Sequence, residues 1–118
     1  MTRKAASDFF NEAYVAPPKE KPGLLLQFCR AAIKAREHGE MELWEVGTKT
    51  LTLAGQIDQP SVTLGKLNAH DAIVEELYAV AGRLDLADQG GTTAEDDERA
   101  WNQYKKLVDE YENSLRNS

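Results

Sequence analysis

The sequence predicts an all-α fold: an antiparallel bundle of about four helices, preceded by a short N-terminal helix. Three observations carry that expectation. Apolar residues recur every three to four positions through most of the chain, the period of one helix face. Turn-forming stretches at 16–22, 58–61 and 89–93 cut the chain into units joined by short links. The alternating stretch 48–53 looks like a strand, but it has no second strand to pair with.

The first unit is a helix over 8–15. Ser7 is placed to cap it, because a hydroxyl there can accept a bond from a free N–H of the first turn. Phe9, Phe10, Ala13 and Tyr14 give it one greasy side. Pro17, Pro18 and Pro22 lack an N–H and push their predecessors into extended geometry. Residues 1–18 therefore read as an amphipathic helix with a stiff connector, and 19–118 as the bundle domain.

The second helix opens near Pro22, a residue suited to a first helical turn. Leu25, Phe28, Cys29, Ala32 and Arg36 fall at helical spacing along it. Gly39 suits the left-handed residue that ends a helix, with His38 in the last turn. A third helix over 40–57 carries Leu43, Val46, Thr50, Leu53 and Ile57, with Gly47 and Ala54 small enough to admit a close neighbour. Trp44 falls off that stripe. A long fourth helix runs from Ser61 or Thr63 to Leu86, with Ile73, Val74, Leu77, Val80, Ala81 and Leu84 on one side.

Thr92 and Glu95 have the spacing of a capping box. Asp96, Asp97 and Glu98 follow where the helix dipole is positive. The last helix reaches about Leu115. Trp101, Tyr104, Val108, Tyr111 and Leu115 step along it as a coiled-coil-like seam, widened by Leu107.

A chain of 118 residues with 42% hydrophobic content suits one domain with a core of its own. Cys29 is the single cysteine, so no intrachain disulfide can form and a reducing compartment is favoured. No apolar run approaches the ~20 residues of a membrane span, and a cytoplasmic protein is expected. The net charge of −6 is uneven. Residues 1–36 carry seven Lys/Arg against three Asp/Glu; residues 37–118 carry seven against seventeen. An acidic body binds nucleic acid poorly, since phosphate binding works by charge neutralisation.

The chemistry-bearing residues do not assemble into a known constellation. No glycine-rich phosphate loop is present, and one cysteine excludes paired-cysteine zinc sites. Di-metal bundles use Glu-x-x-His pairs, but Ala35 precedes His38 and Leu67 precedes His70 at that spacing. Cys29 lies on an apolar stripe and reads as a buried thiol. No catalytic, cofactor or metal residue is assigned.

The leading expectation is a small acidic module that binds another protein, as an adaptor, chaperone-like or regulatory factor. Phe9, Phe10, Tyr14 and Trp44 are its candidate contact residues, because large aromatics outside the core stripes commonly anchor partners. One alternative is an acidic inhibitor, of antitoxin or immunity type, that blocks a basic nucleic-acid-binding partner. A second is a small enzyme using His70 with Asp71 and Glu75. Two copies could also pair through the C-terminal seam.

Ala13-Tyr14, then a proline-led Leu-rich helix, then Leu77-Tyr78 with Arg83-Leu84 occur in an order that resembles small helical export chaperones for flagellin. The spacings differ and the two central segments are shorter, so no site residue is carried over.

Overall fold

The computed structural model describes residues 5–57, 69–87 and 92–116, without the side chains of 69–71. Five helices are described: α1 (Ala6–Val15), α2 (Lys21–Glu37), α3 (Leu43–Gly55), α4 (Ala69–Asp85) and α5 (Ala94–Arg116). No strand occurs among the described residues. The 48–53 stretch is helical, as the lack of a pairing strand implies. Among the described residues no helix is long and apolar enough to cross a membrane.

Helix ends follow local chemistry, with three departures from expectation; one is α3, expected over 40–57, which opens at Leu43 behind Glu42 and closes at Gly55. α1 starts before Ser7. Ala5 is the cap, and its N–H donates to the Asp8 carboxylate at 3.1 Å. The Asp8 carboxylate reaches back to satisfy the cap residue's own N–H, and Ser7 lies inside the helix. At α5, Thr93 rather than Thr92 is the cap: its hydroxyl accepts the Asp96 N–H at 3.1 Å. Thr92 instead donates to the Asp97 carboxylate at 2.7 Å, and Glu95 pairs with Arg99 at 3.0 Å. α2 opens one residue before Pro22. It stops at Gly39, whose φ of +74° is cheap only without a Cβ. The start expected for the fourth helix, at 61 or 63, lies outside the described residues.

Successive helices pack antiparallel. Phe10 of α1 meets Phe28 of α2 edge-on at 6.0 Å between ring centres. α3 and α4 form the most extensive pair. Gly47 makes this possible: a Cβ there would stand 2.7 Å from the Ala81 carbonyl oxygen and closer still to the Asp85 amide nitrogen. Leu51 reaches towards Gly82, and Gly55 faces the Tyr78 ring. Thr48 donates to the Asp85 carboxylate across the same crossing.

α5 lies against both α4 and α2. Tyr104, Leu107, Val108 and Tyr111 of its seam are buried in this chain's own core, with Trp101 and Leu115 half-buried at the ends. The α4 stripe behaves alike: Val74, Leu77, Val80, Ala81 and Leu84 are buried. Burial of this kind supplies ~25 cal/mol per Å² of apolar surface and is what holds the helices together.

Candidate functional site

The centre of the bundle contains three polar side chains from three helices. Thr50 Oγ1 and the Tyr104 hydroxyl lie 2.9 Å apart and are fully buried. Cys29, also fully buried, lies beside both. Each hydroxyl can donate and accept, so the pair satisfies itself. Among the described residues no buried side-chain nitrogen or oxygen lacks a partner. Burial pushes the Cys29 thiol up to about 12, against the weaker pull of Tyr104 and Thr50 beside it. Burial likewise lifts the Tyr104 phenol well above its ordinary range. Both stay protonated at neutral pH. The thiol supplies no thiolate nucleophile, and the cluster joins α2, α3 and α5.

The surface carries two other features. One is a cleft of about 640 Å3 over α2. Ala5, Ala6 and Phe9 form the α1 side, Ala31 and Ala35 the floor, and Glu112 of α5 the opposite margin. Arg30, Lys34 and His38 run along it at one-turn intervals. Arg30 is occupied by its own protein, contacting Asp109 at 2.8 Å and Glu112 at 3.0 Å. Lys34 and His38 have no side-chain ion pair among the described residues.

The other feature is a set of exposed apolar side chains. Tyr14 is 51% and Val15 79% exposed at the end of α1. Trp44 is 43% exposed in the first turn of α3. Tyr78 and Leu86 of the fourth-helix region are exposed as well.

These placements divide the four aromatic residues singled out from sequence. Phe10 is half-buried between Phe28 and Tyr14, with the Lys49 ammonium 4.5 Å from its ring centre. It is part of the packing between α1 and the bundle. Phe9 is half-buried and lines the cleft. Tyr14 and Trp44 are open, but at opposite ends of α3. The Lys21 ammonium donates to the Ala13 carbonyl at 3.0 Å and to the Tyr14 carbonyl and Gln56 Oε1 at 3.1 Å, which ties the end of α1 to the end of α3. Trp44 lies twelve residues earlier on α3, about 18 Å along the axis at 1.5 Å per residue. The four residues therefore do not form one patch.

Tyr78, Val15 and Leu86 were not singled out from sequence. Tyr78 and Leu86 sit beside the buried Leu77 and Leu84, and only packing distinguishes such neighbours. His38 is exposed at the end of α2, and no group of three or more His, Cys, Asp or Glu suited to a metal occurs among the described residues. The side chains of His70 and Asp71 lie outside the described residues; Glu75 is exposed. Comparison with family models, with curated proteins and with solved structures gives no match.

Proposed function

We propose that this chain works by contact with another protein, as a small acidic binding module. The observation that supports the reading best is the pair of apolar outcrops at the two ends of α3. Tyr14 with Val15 projects at one end, and Trp44 with Leu86 at the other. The Gly47–Asp85 crossing brings the first turn of α3 to the end of α4, so Trp44 and Leu86 share that end. Tyr and Trp are the side chains that most often anchor interfaces, because they bury large area at small entropic cost. Neither is needed by the core, which Tyr104, Tyr111, Phe28 and the aliphatic residues already fill.

The test is quantitative capture from native lysate, with the intact protein run beside Tyr14→Ala and Trp44→Ala. Both substitutions fall on exposed positions and should leave the far-ultraviolet circular dichroism unchanged. The reading expects at least one protein held by the parent and lost from one of the two variants. An empty capture, or a set of proteins retained equally by both variants, counts against it.

A further inference from the structure

We propose that the cleft over α2 is a binding site for a small amphipathic anion, an apolar body carrying one carboxylate or phosphate head. This site is separate from the Tyr14 and Trp44 outcrops, so it stands or falls apart from the partner reading.

Size argues for a small molecule. The cleft holds about 640 Å3, within the roughly 300–1,000 Å3 of small-molecule sites. A stable protein interface instead needs about 800 Å2 from each partner. The hollow exists because alanines stand at 6, 31 and 35, where larger side chains would fill it. Phe9 supplies an apolar wall.

Charge argues for an anion. Three groups that can carry positive charge lie along one face of α2, and their surroundings differ. Arg30 faces Asp109 and Glu112, with Arg116 sharing Glu112 at 3.2 Å, so that end is already neutralised. Lys34 and His38, one and two turns further on, lie beyond those carboxylates and have no ion pair among the described residues. Glu40 lines the cleft past His38, while Glu37, one turn from Lys34 at the end of α2, lies outside the lining. An incoming head group is therefore drawn to Lys34, between the neutralised Arg30 and the acidic Glu40. Its apolar body then lies over Ala31 and Ala35 against Phe9. Lipid-derived acids and phosphate esters share this chemistry.

The test is a nuclear magnetic resonance titration of the full chain with decanoate, with decyl phosphate and with methyl decanoate, each below its aggregation threshold. The proposal expects saturable one-site binding by an anion, with shifts centred on Phe9, Ala31 and Lys34. It expects the methyl ester to bind at least tenfold more weakly. Lys34→Glu, at an exposed position, should weaken the anion at least tenfold with the spectrum otherwise intact, and Ala31→Phe should fill the hollow and abolish binding. A preference for decanoate or for decyl phosphate identifies the source of the head group. Non-saturating shifts spread over the surface would overturn the proposal, as would an ester that binds as tightly as the acid or a Lys34→Glu variant that binds like the parent. So would a dimer, seen by light scattering, that Ala31→Phe dissolves, since a second copy would then be the occupant.

Discussion

The two sides of α2 are packed to different standards. Towards α3 and α5 it meets fully buried neighbours, and Cys29, Thr50 and Tyr104 meet in a polar cluster whose two hydroxyls are paired. Beyond them α3 and α4 approach so closely at Gly47 that backbone meets backbone. Towards α1 the two helices are in extensive contact, but few α1 side chains are shut away from solvent. Only Ala6 and Ala13 of that helix are buried, and a cleft opens beside Phe9. The close-packed side determines the fold. The looser side has room for something else, which is the usual division between a scaffold and the surface it carries.

The sharpest way to break the contrast is to add volume on both sides. Gly47→Leu would force the α3–α4 backbones apart, and overpacking against backbone should cost about 3 kcal/mol or more. Ala31→Phe, in the cleft, should change the unfolding free energy from urea denaturation by less than a third of that. Equal losses in the two denaturation curves would erase the distinction.

Alkaline pH probes the close-packed side without mutation. The Cys29 thiol is raised from 9.0 to about 12 in the native protein. Above pH 9 the unfolded chain gives up this proton and the native chain does not, so the unfolded state gains and stability falls as pH rises. The slope is about 1.4 kcal/mol per pH unit, which implies roughly 2 kcal/mol between pH 9 and 10.5. Tyr104 adds to the fall above pH 10, in the same direction. The stability gap between the parent and Cys29→Ala, read from urea denaturation, should narrow across this range by the cysteine's share; a constant gap would show that the thiol is not so deeply held.

Tyr104→Phe leaves Thr50 short of a partner and should cost about 1–2 kcal/mol. Lys21→Met removes three hydrogen bonds at one point. It should cost about 1 kcal/mol, with faster amide exchange confined to residues 6–15. Exchange that rises throughout α2 and α3 would mean α1 is integral to the bundle rather than laid upon it. Smallest of all is Arg30→Met. Its two carboxylate contacts are partly exposed, so the loss should be about 0.5–1 kcal/mol and should shrink in high salt.

Much of the close-packed side was legible in the sequence. The stripes on α2, α4 and α5 follow from spacing, and so does the open position of Trp44. Gly47 could be read as a place for a close neighbour because a missing Cβ is visible in the letters. The polar cluster could not be read. Thr50 and Tyr104 sit on apolar stripes, and nothing in a one-dimensional pattern says that two hydroxyls and a thiol will meet. The looser side was legible in part. The N-terminal helix and its proline hinge were visible, but which of its aromatics stay outside was not. Phe9, Phe10 and Tyr14 share one amphipathic face, and they were separated only when Phe28 took up Phe10 and the alanines left Phe9 at a hollow. The caps shifted by a residue or two for a similar reason, since Ala5 and Thr93 gained their roles from Asp8 and the turn before α5.

The tie at Lys21 also carries information about time. Its ammonium needs the Gln56 side chain, thirty-five residues further along the chain, as well as two carbonyls of α1. The two bonds to α1 are local, whereas the Gln56 contact cannot form until α2 and α3 have folded back on one another, so only the third bond waits for that hairpin to close. During refolding, the link between the end of α1 and the end of α3 should therefore appear only once α2 and α3 are paired.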